Sequence, residues 1–205
     1  PLQSTDVQLA GHVVPLETDF STPLAYFLDN PQFRDQNLAT LGLLNSEKSY
    51  DIRGLYMLES YEAGKIPVLM VHGLWSSPVT WMEMFNDLRA SHDIRDAYQF
   101  WFYLYPSGQP FWISAAQLRR DLKHIREVLD PKHRSAAMDQ IVLVGHSMGG
   151  LVSKLQTVSS GDVFWKTVSE RPFNHLRATD EVRRELAETL FFEPNPSVRR
   201  VITIA

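Results

Sequence analysis

The sequence has 205 residues, enough for one domain or most of one. Hydrophobic residues make up 44% and charged residues 21%, as in a globular protein with a core, and a formal net charge of -4 calls for neither nucleic acid nor an acidic membrane as partner. The absence of cysteine excludes disulfides, thiolate metal sites and a cysteine nucleophile.

The chain opens on Pro1 rather than methionine, so removal of an upstream piece is expected, with a signal peptide or lipoprotein leader as one reading that the sequence does not show, and the compartment stays open between a soluble, an exported and a membrane-associated domain. The longest apolar runs, 66–71 and 141–144, are strand-sized and too short to cross a bilayer. The doublets Arg119-Arg120, Arg183-Arg184 and Arg199-Arg200 are scattered and read as solvated faces rather than a phosphate patch.

In chain order, Thr22 before Pro23 looks like the N-cap of a helix, and Asn30-Pro31 like a second helix start. Residues 54–61 read as a strand and 62–65 as a turn. A regular alternation follows: strand 66–71, helix 78–90, aromatic strand 99–105, helix 114–129, strand 140–144, a helix just after Ser147, and strand 200–204. Leu118, Leu122, Ile125 and Leu129 form the apolar stripe of the clearest helix. Strands apolar on both faces, alternating with amphipathic helices, imply an α/β fold with a mostly parallel sheet and helices on both faces. Sites in such sheets form beyond the carboxyl ends of strands, where His72 and Ser147 fall. The segment 159–198 is long for a connection and reads either as a cap or lid insertion or as an extra helix packed on the rim.

Gly145-His146-Ser147-Met148-Gly149 follows an apolar strand and opens a helix. A serine hydroxyl is a weak nucleophile that needs a base and must stand clear of the backbone. A tight strand-to-helix turn exposes it, and glycines two residues before and two after relieve the crowding. Ser147 is therefore the candidate nucleophile. An oxyanion formed at its acyl group would need two fixed donors. The N–H of Met148 is one candidate. The N–H of Leu74 is the other, with Gly73 or Trp75 as fallbacks, because Val71-His72-Gly73-Leu74 lies after an earlier strand. His72 and His146, in turns beside these donors, read as braces of the loops together with Gly73, Gly145 and Gly149 rather than as bases. No metal-ligand spacing occurs, and no cofactor or metal is expected.

Val71-His72-Gly73-Leu74-Trp75-Ser76-Ser77-Pro78 and Val144-Gly145-His146-Ser147-Met148-Gly149-Gly150-Leu151 resemble the oxyanion loop and nucleophile elbow of the α/β-hydrolase superfamily, in particular its lipase-like serine esterases. The pair is similar to bacterial triacylglycerol lipases and to deacylases of glycosylphosphatidylinositol anchors. The resemblance implies an acyl-enzyme on Ser147, an ester or lipid substrate, and a peripheral membrane or lipid interface as a partner surface. Trp75, Trp81, Trp112 and Trp165, with Phe111 and Phe164, are candidate walls of an acyl pocket, Trp75 first.

The resemblance also implies an acid and a histidine later in the chain than the serine. Asp162 and His175 have that order but precede the next core strand. The triad acid and histidine are thus expected beyond Ala205, as in a truncated chain, a fragment, or one half of a split enzyme whose second chain carries the rest. Such a piece would be inactive alone. Two rivals stay open: an acyltransferase or amidase using the same acyl-enzyme, and a non-catalytic binding module of the same fold.

Overall fold

A computed structural model describes residues 6–16 and 53–205, with Asp19, Thr22 and Tyr26 between them. Strands β1 (Asp6–Leu9) and β2 (His12–Pro15) form an antiparallel hairpin that periodicity did not reveal. Thr22 is itself helical, and its amide donates to Asp19 Oδ1 at 3.0 Å, so Asp19 rather than Thr22 supplies the capping oxygen. The start at Asn30-Pro31 lies outside the described residues.

The central sheet has five strands: β3 (Gly54–Met57), β4 (Ile66–Val71), β5 (Tyr98–Leu104), β6 (Ile141–His146) and β7 (Val198–Ile204). Their order is β3-β5-β4-β6-β7, with β3 antiparallel to β5 and the other pairs parallel. Side chains of a strand alternate between faces, and both faces of β4, β5 and β6 are covered, while the edge strand β7 is more exposed. Leu69, Val71, Trp101, Tyr103, Ile141 and Leu143 enter one core, against Leu118 and Leu122 of α3 (Phe111–Leu129) and Val152 of α4 (Met148–Lys154). Val68, Met70, Phe100, Phe102 and Val144 enter the opposite core, with Trp81 and Phe85. This second layer comprises a 3-10 turn over Pro78–Trp81, α1 (Met82–Ala90) and α2 (His92–Ala97).

From β4 the chain passes by α1 and α2 to β5 on one side, then returns by α3 to β6 on the other. The connections diverge at the carboxyl ends of β4 and β6, opening the crevice where α/β sheets place their sites. Residues 72–75 and Ser147 lie there.

The expected helix 114–129 begins earlier, at Phe111, so Phe111 and Trp112 occupy its first turn after Pro110. The expected strand 54–61 ends at Met57, before the turn closed by Lys65 N–H to Glu62 O at 3.0 Å. Segment 159–198 carries α5 (Val163–Val168), a 3-10 turn (Phe173–His175) and α6 (Asp180–Leu190). It packs along the outer face of α3: the Arg119 guanidinium lies 3.9 Å from the Phe192 ring centroid, and Arg120 pairs with Glu188 at 3.7 Å. Burial lowers the Arg119 pKa to about 10. No described helix is long and apolar enough to cross a membrane.

Candidate functional site

Ser147 stands between β6 and α4 with φ +51° and ψ -120°, outside the regions that L-residues favour. Such strain persists only where surroundings enforce it. Its N–H donates to Ile204 O at 2.9 Å, tying the turn to β7, and its carbonyl accepts from Gly150 N–H at 2.9 Å. The side chain makes no capping bond to α4 and the residue is exposed, so the hydroxyl faces solvent rather than the helix.

The neighbouring glycines have steric reasons. A Cβ on Gly145 would collide with the Gly149 carbonyl, and one on Gly149 with the carbonyls of Val71 and His72. The first turn of α4 therefore rests directly on the end of β4. Gly73 closes the arrangement: a Cβ there would lie 3.0 Å from both Ser147 Cβ and His146 Nδ1. The loop after β4 and the turn after β6 are thus in backbone contact.

His72 is buried, at 1% exposure. Its Nδ1 lies 2.9 Å from Gly73 O, so that nitrogen carries the proton. Nε2 is left as acceptor, and the Tyr105 N–H meets it at 3.4 Å. Burial lowers the pKa of His72 to about 4, partly offset by the bond to Gly73, so the imidazole is neutral at pH 7. With both nitrogens engaged, His72 has no free position for taking a proton from Ser147. His146 stacks edge-on against Trp81, ring centroids 6.4 Å apart. Its Nδ1 is buried and has no hydrogen-bond partner among the described residues.

Leu74 and Trp75 are exposed, at 47% and 61%, and Trp75 has φ +56°. Two of the four described non-glycine residues with positive φ, Trp75 and Ser147, therefore flank this crevice. Leu151, on the first turns of α4, is also exposed. The other aromatic candidates are distributed differently. Trp81 is only 3% exposed and belongs to the core of the α1 side, so it is a packing residue rather than an open wall. Trp165 packs among Phe173 and Phe191 and donates to Arg171 O at 2.7 Å, within segment 159–198. Trp112 is partly exposed and meets Phe111 edge-on, with centroids 5.2 Å apart, while Phe164 packs on Phe192.

Asp162 is paired with Lys166 at 2.7 Å, which holds its carboxyl below the usual range. His175 lines a cavity of about 660 Å³ with Trp165, Arg171 and Arg177. Among the described residues, no hydrogen bond joins Asp162, His175 or any other histidine to Ser147. No group of three or more His, Asp or Glu residues is arranged to hold a metal ion among the described residues.

Tyr105 is a site residue that sequence reasoning passed over. Its phenol donates to the His72 carbonyl at 2.7 Å. The available signal was its place at the carboxyl end of β5, beside the strand that feeds the 72–75 loop.

Residues 68–200 match the sequence profile described as "Alpha/beta hydrolase family". No curated protein matches the chain. Among solved structures, the chain is similar to the Bacillus licheniformis lipase BlEst2 in its mature form, at 25% identity and a TM-score of 0.35, covering 47% of this chain and 35% of that one. The propeptide form of the same lipase matches at 25% identity and a TM-score of 0.34, covering 47% of this chain and 19% of that one. The chain thus spans about a third or less of the length of these solved relatives.

Proposed function

The chain belongs to the alpha/beta hydrolase family, and from that premise we propose that it is the nucleophile-bearing part of a serine hydrolase that cleaves carboxylic esters. The observation that carries this reading is the conformation of Ser147: an exposed serine at positive φ, on a strand-to-helix turn packed through Gly145 and Gly149. Ser147 Oγ attacks the acyl carbon and forms the acyl-enzyme, and the alcohol leaves. Water then attacks the acyl carbon, releasing the acid and restoring the hydroxyl. The N–H groups of Met148 and Leu74 hold the oxyanion in both steps. Exposed Leu74, Trp75 and Leu151 beside the crevice favour a substrate with an apolar acyl chain.

The proton acceptor is a histidine outside these 205 residues, because none of the seven in the sequence is hydrogen-bonded to Ser147 among the described residues. It comes with its acid from the remainder of a longer chain or from a second chain. A lipid or membrane interface is the substrate's source.

The test is turnover of soluble p-nitrophenyl esters of graded acyl length by the intact protein. Ser147→Ala is expected to lower kcat by about four to six orders of magnitude. A rate that survives Ser147→Ala would place the chemistry elsewhere. Faster product release with added alcohols, with ester formed from them, would make the protein an acyltransferase instead.

A further inference from the structure

Tyr105 follows directly on β5, and its side chain is buried at 3% exposure. It reaches His72 by three separate groups. The phenol hydroxyl donates to the His72 carbonyl at 2.7 Å. The backbone N–H donates to His72 Nε2 at 3.4 Å. The phenol ring stacks on the imidazole, with centroids 4.4 Å apart and planes 18° from parallel. His72 passes the constraint on, since its Nδ1–H donates to Gly73 O at 2.9 Å.

Peptide groups are planar, so holding a carbonyl oxygen also holds the N–H on the far side of the same unit. The Tyr105 hydroxyl holds the unit joining His72 to Gly73. His72 Nδ1 holds the next, joining Gly73 to Leu74, and so fixes the direction of the Leu74 N–H. The Tyr105 N–H selects the tautomer with the proton on Nδ1, which that second bond requires. The His72 carbonyl is also one of the two against which Gly149 packs, and Gly73 packs on Ser147. Both constraints therefore act where the 72–74 backbone touches the nucleophile turn.

We infer that Tyr105 is a positioning residue, whose hydroxyl and backbone N–H fix the 72–74 peptides against Ser147 and so set the place and direction of the Leu74 N–H. The catalytic consequence rests on the reading of Ser147 as a nucleophile; the structural part stands apart from it. Tyr105 touches neither the reacting serine nor the acyl group and acts only through His72.

The experiment compares Tyr105→Phe, which keeps the stacked ring and loses the hydroxyl, with Tyr103→Phe. The latter removes another buried phenol hydroxyl two residues earlier, within β5, one donating to Asp121 Oδ2 at 2.7 Å. In Tyr105→Phe of the intact protein, the 72–75 amides should exchange with deuterium about three- to tenfold faster, the span expected for one buried hydrogen bond. Amides of β6 and α4 should not change, and Tyr103→Phe should leave the 72–75 amides at the wild-type rate. With a soluble ester, Tyr105→Phe should lower kcat about tenfold with KM within twofold. Unchanged 72–75 exchange overturns the inference, whether or not the protein turns over esters. Equal acceleration in Tyr103→Phe overturns it too, because the effect would then be general loosening. Faster loop exchange with unchanged kcat overturns the assignment of the donor. Faster loop exchange in a protein whose wild type hydrolyses no ester supports the positioning role and sinks the esterase reading alone.

Discussion

At the scale of single residues, the site is built by exclusion of side chains as much as by their presence. Gly149 has no room for a Cβ between α4 and the carbonyls ending β4. Gly149→Ala is expected to destabilise the protein by at least about 2 kcal/mol, readable as a lower urea midpoint. His72 gives a second prediction with a definite sign. Its folded pKa, about 4, lies below the unfolded value of about 6.5. Between those values the unfolded chain binds a proton that the folded chain refuses. The stability from this group is therefore complete above pH 6.5 and lost as pH falls to 4, by about 3 kcal/mol at that end. Urea denaturation at pH 7, 5.5 and 4 should show this loss in the wild type and much less of it in His72→Gln. The spacing of Gly145, Ser147 and Gly149 was legible in the sequence because the elbow is a local device. The clamp of Tyr105 on His72 was not, because it joins residues 33 apart through a sheet register that the sequence does not display. The positive φ of Trp75 was equally hidden: nothing about a tryptophan announces a left-handed conformation.

At the scale of elements, the buried strands were the most readable. β4 coincides with the expected run 66–71, and α6 opens on a clear N-cap. Continuous apolar runs and a clear N-cap carry their own boundaries. Thr179 Oγ accepts from Val182 N–H at 3.3 Å, with Asp180 and Glu181 in the first turn. Thr179→Ala should cost about 1 kcal/mol in thermal or urea unfolding and leave the reactivity of Ser147 intact. Short or exposed elements were not legible. α2 has six residues, too few to establish a period, and is fixed by tertiary contacts instead: buried Arg95 donates to the Arg89 carbonyl at 2.8 Å. The β1–β2 hairpin exposes Val7, Leu9, Val13 and Val14, so no alternation between core and solvent marks it.

At the scale of the whole molecule, the sheet order converts two distant motifs into one crevice. The chain leaves β4 in one direction and returns over it to β6, so the 72–75 loop and Ser147 become neighbours because of topology. The alternation of strands and helices made a two-sided sheet legible, but not the antiparallel edge β3 or the way segment 159–198 packs along α3. That crevice presents Ser147 as the nucleophile of the proposed hydrolase, and covalent labelling of the intact protein with a fluorophosphonate, followed by peptide mass analysis, tests this directly. One adduct is expected, on the peptide containing Ser147 and absent in Ser147→Ala. An intact, folded protein that stays unlabelled, or an adduct on another residue, would contradict this reading.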